Sequence, residues 1–137
     1  MDRSKPIKKA DDDAKELIIE LLAGKNTGGF DLDSIYTIED SYFVIEFLKC
    51  ETVRPYKSHP NRYWFKNSQK FLSLWKITQK LEGRLFLLNY EESREQFLLI
   101  EVLNLDNSGI KKEVKKELNF QQIQIWFQEL NKKAINS

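Results

Sequence analysis

The sequence has a single cysteine and a single histidine among its 137 residues. Cys50 alone cannot close an internal disulfide, and no metal–thiolate cluster can be assembled around it. Long apolar runs are also missing, so nothing approaches the length of a membrane span. The opening stretch MDRSKPIKKADDD lacks the apolar core of a signal peptide, which makes the cytoplasm the expected setting. An excess of one charge is missing too: 22 Lys and Arg stand against 21 Asp and Glu, for a net charge of +1. That balance argues against tight non-specific binding to nucleic acid but leaves room for a local basic patch. No Gly-rich phosphate loop, HExxH, CxxC or G-x-S-x-G motif occurs, and no repeat or low-complexity segment.

What is present is a chain able to bury a core. It is 41% hydrophobic, with nine Phe and three Trp, and its length suits one domain. Residues 1–10 read as a flexible basic arm, and 11–137 as a single domain. A first helix is predicted to start at Asp11, Asp12 or Asp13, where acids suit a helix N-terminus. Ala14, Leu17, Ile18, Leu21 and Leu22 recur at helical spacing before Gly24. A hairpin over 30–51 follows. A second helix is expected from Asn67 or Ser68, burying Phe71, Leu74, Trp75, Thr78 and Leu81, with Gly83 closing it. Strands are expected over Leu85–Tyr90 and Gln96–Leu103, then a turn at Asp106-Asn107-Ser108-Gly109. The charged segment Ile110–Leu118 is ambiguous. A last helix over about Asn119–Lys133 buries Phe120, Ile123, Phe127 and Leu130. The order α-β-β-α-β-β-α describes a mixed α/β (α+β) domain, a central mixed sheet flanked by helices.

The hairpin carries the chemistry. With Glu39-Asp40 as a two-residue turn, Ile38 pairs with Ser41, Tyr36 with Phe43, and Asp33 falls opposite Glu46. Directly opposed residues share a face about 5 Å apart. Two carboxylates so placed repel unless one is protonated or a cation lies between them. The alternative is an Asp33 that merely faces solvent. On the second strand Phe43, Ile45 and Phe47 share one face and Val44, Glu46, Leu48 and Cys50 the other. Both are mostly apolar, so the strand is expected to be central, and an unpaired carboxylate there is costly.

This order, with an acid on the first hairpin strand and a Glu on the second, resembles the PD-(D/E)XK nuclease superfamily, the restriction-endonuclease-like fold, over roughly residues 11–103. The resemblance implies phosphodiester hydrolysis with Mg²⁺ or Mn²⁺ held by Asp33 and Glu46, with Glu20 (or Glu16) on the preceding helix as a further ligand. It also implies a Lys two residues after the second acid, where this chain has Leu48. Lys49 is one step late and reaches the site only through a β-bulge. Otherwise Lys66 or Lys70 reaches back from the following helix, or the site is inactive.

A second feature is the loop Tyr56-Lys57-Ser58-His59-Pro60-Asn61-Arg62-Tyr63-Trp64-Phe65-Lys66, where basic and aromatic groups alternate. Lys57, Arg62, Lys66 and Lys70 are candidate phosphate contacts, with DNA the expected nucleic acid. Tyr63, Trp64 and Phe65 either stack bases or pin the loop to the core. His59 is read as a solvent-exposed loop residue and Cys50 as a small core residue. Glu101 either joins an acidic cluster beside Glu46 or faces solvent. Trp126 and Phe127 cannot both face one core stripe, which points to a partner surface or homodimer. Three readings stay open: a metal-dependent nuclease, a catalytically inactive nuclease fold binding nucleic acid or protein (as in accessory or inhibitor proteins of phages and mobile elements), and an interaction module with no metal site.

Overall fold

The computed structural model describes residues 13–25, 29 and 32–137. The basic arm, Asp11 and Asp12 lie outside the described residues, as do 26–28, 30 and 31. The chain divides into two units, 1–31 and 32–137. In the first, α1 spans Asp13–Leu22, with Asp13 and Glu16 in its opening turn, where acids complement the helix dipole.

The second unit is built on one mixed five-stranded sheet, β1 (Ser34–Ile38), β2 (Ser41–Lys49), β3 (Arg84–Tyr90), β4 (Phe97–Asp106) and β5 (Gly109–Leu118), lying side by side in chain order. Only β2 and β3 run parallel. A parallel neighbour needs a crossover, supplied here by two short 3₁₀ turns (Pro55–Lys57 and Pro60–Tyr63) and α2, Trp64–Lys80. The chain ends in α3, Phe120–Asn136, opened by a reciprocal capping box between Asn119 and Gln122.

Strand alternation splits the core in two. Val44, Leu85, Leu87, Leu98, Ile100 and Val102 face α2, where Trp64, Phe71 and Leu74 meet them. Ile45, Phe86, Leu88, Phe97 and Leu99 face α3, against Ile123 and Leu130. β2 is therefore covered on both sides, as its double apolar pattern predicts. Phe71, Leu74 and Thr78 recur at helical spacing and are buried; the Thr78 hydroxyl donates to the Leu74 carbonyl at 2.6 Å, so burial leaves it satisfied. Gly83 is required where α2 returns to the sheet: a Cβ there would stand 2.6 Å from the Tyr42 carbonyl oxygen.

Three elements depart from expectation. The ambiguous segment is a full edge strand, β5, and the order is α-ββ-α-βββ-α. Its Lys and Glu residues hide the strand from a hydrophobic pattern, and such charges are common on exposed edges because they discourage further pairing. α2 begins at Trp64, ahead of Asn67, but breaks from helical geometry at Asn67 (φ −127°, ψ 15°), the residue predicted to cap it. In α3, Phe120 is exposed while Trp126 and Phe127 are both half-buried, Trp126 edge-on to Phe86 at 5.2 Å.

Candidate functional site

The turn at Glu39-Asp40 sets the hairpin register that alternation predicts: Ile38 opposite Ser41, Tyr36 opposite Phe43, Ser34 opposite Ile45. One step further, Asp33 comes opposite Glu46. The Phe47 amide donates to Asp33 Oδ2 at 2.9 Å, holding the acid against β2. Asp33 is exposed, whereas Glu46 is 0% exposed in the apolar α2 face between Val44 and Leu48.

The backbone gives neither Glu46 oxygen a hydrogen bond. What faces them is charge. The Lys70 ammonium stands 2.6 Å from Oε2, and the Asp33 carboxyl lies close enough to share a proton with Glu46. Burial, and then Asp33, push the Glu46 carboxyl up from 4.5 to about 8, against the opposing pull of Lys70. Desolvation and a like charge both disfavour the carboxylate, and here they outweigh one ammonium. The pair thus offers hard oxygen donors, one of them holding a proton that a cation could replace. That fits Mg²⁺ or Mn²⁺, which take one or two carboxylates and fill the remaining positions with water and substrate oxygens. Among the described residues no group of three or more His, Cys, Asp and Glu side chains gathers as a metal cage. Glu20 lies on α1, in the first unit.

Lys49 is not the cation of this site. β2 pairs with β3 residue by residue from Phe43 to Lys49 without a bulge, so alternation sends Lys49 to the face opposite Glu46. Lys70 arrives instead from α2, beside the buried Phe71, its stem partly covered and its charged end at the acid. Its ion pair with Glu46 sets it apart from the other predicted phosphate contacts. Arg62 and Lys66 line a groove of about 410 Å³ at the end of β2, together with Lys49, Tyr63, Leu48 and Glu51. Lys57 is exposed, and its carbonyl accepts a bond from Arg62 Nη1 at 2.8 Å.

Other readings are corrected. His59 is not a free loop side chain: its Nε2 lies 2.5 Å from Glu113 Oε1 on β5, and its Nδ1 accepts from the Asn61 amide. Glu101 belongs to the α3 face, opposite Phe86 on β3, and forms a two-bond ion pair with Arg84 at 2.7 and 2.8 Å. It cannot join Glu46 through the sheet. Cys50 is half-buried, and burial pushes its thiol up, which disfavours a nucleophilic thiolate. The three loop aromatics divide: Trp64 is buried, its indole donating to the Asn107 carbonyl at 3.0 Å, while Phe65 is 86% exposed.

Two supports have no warning in the sequence. Asn89, wholly buried, donates to the Ser58 carbonyl at 2.6 Å and ties the crossover loop to β3. Arg54 clasps Glu91 with bonds of 3.0 and 2.7 Å; that guanidinium and Ser93 hold the Glu91 carboxyl down to about 2. Both contacts are long-range, so neither has a local pattern. No helix among the described residues is long and apolar enough to cross a membrane. Comparison with protein-family models, curated proteins and solved structures finds no match for this chain.

Proposed function

We propose that this chain is a metal-dependent phosphodiester hydrolase of the PD-(D/E)XK type, acting on nucleic acid, with DNA the favoured polymer. The observation that carries the reading is the wholly buried Glu46, set against Asp33 on a hairpin and faced by Lys70 from the crossover helix. The order of elements supports it: helix, hairpin with both acids, helix, then a strand parallel to the Glu-bearing one. Leu48 occupies the usual lysine position, and Lys70 supplies the ammonium from the next element.

In this reading Asp33 and Glu46 would hold the divalent ion, which neutralises phosphate charge and acidifies water. Asp33 is fixed for the task by the Phe47 amide. Glu46 must give up its proton to bind, and burial makes the resulting carboxylate a strong ligand. Lys70, released from Glu46, is placed to offset negative charge growing on the phosphate oxygens. Hydrolysis adds water across one P–O bond and leaves a phosphate monoester and an alcohol. Arg62, Lys66 and Lys49 would seat the neighbouring phosphates.

A panel of single- and double-stranded DNA and RNA, incubated with Mg²⁺ or Mn²⁺, tests the proposal. Cutting should need the metal and disappear in Asp33→Ala and Glu46→Ala. Cutting that survives both substitutions would sink it. A second reading, an inactive nuclease fold that binds nucleic acid or a protein, is favoured by Leu48 and by the Lys70 ammonium already balancing Glu46. Wild-type protein that takes up no divalent ion yet binds oligonucleotide would select it.

A further inference from the structure

The turn that brings Arg62 and Lys66 to the groove at the end of β2 also carries an aromatic that the hydrolase reading does not use. Trp64 and Phe65 open α2 side by side but face opposite ways. Trp64 is 2% exposed, bonded to the Asn107 carbonyl and stacked on Phe71 with ring centroids 5.0 Å apart. That anchor makes the first turn of α2 a fixed platform. Phe65 stands on it with 86% of its surface in water. Its chain neighbours Arg62 and Lys66 line the groove at the end of β2, together with Lys49, and Glu51 is the one acid in the lining. The groove also takes in Phe47 and Leu48, the residues that follow Glu46 on β2.

A lone exposed Phe is ordinary. An exposed ring on an anchored turn, flanked in the chain by the two basic residues of a groove, is a different arrangement. It is the pairing of a charged track with a stacking surface that suits unpaired polynucleotide, because every base has a flat face to offer. A base inside a duplex has both faces covered by its neighbours and cannot reach the ring. The chain's net charge of +1 also gives little of the counterion-release drive on which duplex binding depends.

We propose that the groove is built for single-stranded nucleic acid, with one base stacked on Phe65 and the adjoining phosphates led past Arg62 and Lys66 toward Asp33 and Glu46. The inference rests on the hydrolase reading for what lies at the end of the groove, but its test does not. With the whole chain in EDTA, where no cutting occurs, fluorescence anisotropy would follow a labelled strand of about 12 nucleotides, a length within the range of single-strand sites. DNA and RNA versions are each tested alone and as the blunt duplex. The single strand should bind about tenfold tighter than its duplex, Phe65→Ala should lose about tenfold on the single strand only, and Phe65→Trp should keep the affinity. Phe65 is exposed, so these substitutions leave the core intact. Equal or tighter binding of the duplex, or a Phe65→Ala protein that binds the single strand as wild type does, overturns the inference. A protein that prefers the single strand but never cuts would refute the hydrolase and leave this inference standing. One that cuts duplex regardless of Phe65 would do the reverse.

Discussion

Replacing Glu46 by Gln should flatten the pH dependence of folding stability between pH 5 and 9. The amide keeps the shape of the side chain and removes its titration. In the unfolded chain Glu46 takes its ordinary value of 4.5, whereas in the folded protein it holds its proton until about 8. Below pH 4.5 both states are protonated and the buried carboxyl carries no titration penalty. Between the two values only the folded state keeps the proton, so stability falls as pH rises, and the loss is complete once pH passes the folded value. At about 1.4 kcal/mol per pH unit the full span is worth about 5 kcal/mol, with the opposing pull of Lys70 already included in the folded value. Domains of this kind have about 5–15 kcal/mol in total, so the effect is large. Urea denaturation of both proteins from pH 5 to 9 measures it, since every other titrating group is common to the two. The wild type should lose about 4 kcal/mol more than Glu46→Gln across that window, the first part of the span lying below pH 5. Parallel curves would refute the reasoning. A wild type that gains on the variant as pH rises would show that Lys70, not burial, governs the carboxyl.

The same proton links to metal. At pH 7 a carboxyl with a value of about 8 is mostly protonated, so Mg²⁺ binding should release about 0.9 proton; calorimetry in two buffers of different ionisation enthalpy counts it, and a count near zero would show that Glu46 is not a ligand. Lys70→Met removes the one group that favours the Glu46 carboxylate, so that carboxyl should titrate higher still by NMR, while Mn²⁺ uptake persists and cleavage falls by a factor of about 100 or more. Phe71→Ala empties a position 0% exposed between α2 and the sheet; urea denaturation should show a loss of about 3–5 kcal/mol.

How much of this was legible in the sequence depended on whether a local pattern carried it. The hairpin was legible, because a two-residue turn and two apolar faces leave a single register in which Ile38 meets Ser41 and Tyr36 meets Phe43; continued past Ser34, that register sets Asp33 toward Glu46. Alternation likewise put Lys49 on the wrong face, and the unbulged ladder agrees. β5 was not legible, since KKEVKKE has neither helical nor strand hydrophobic periodicity and pairs because β4 and the Asp106–Gly109 turn present it an edge. The role of His59 depended on β5 as well, for its partner Glu113 is 54 residues away. Which lysine reaches Glu46 was left open among Lys49 through a bulge and, as the family resemblance allows, Lys66 or Lys70 from the next element; the position of Lys70 beside the buried Phe71 brings it to the acid.

Glu46 itself sharpens the choice among readings. Its neighbours on the same face of β2 are Val44 and Leu48, and across the ladder it meets Leu87. A leucine there would complete the apolar layer and remove a group that weakens the fold as pH rises toward 8. A structural role would call for hydrogen bonds to the buried carboxyl, and the backbone offers its oxygens none. The Asp33 opposite makes the cost greater, not smaller, because a second carboxylate disfavours ionisation of the first. Lys70 alone does not restore the balance, or Glu46 would titrate at or below the usual range. With Glu46 protonated, Asp33 and Lys70 balance; once it ionises the two carboxylates exceed the one ammonium, an excess that a divalent cation would relieve. On the proposed function these two acids would hold the cation and the one ammonium would offset charge on the phosphate.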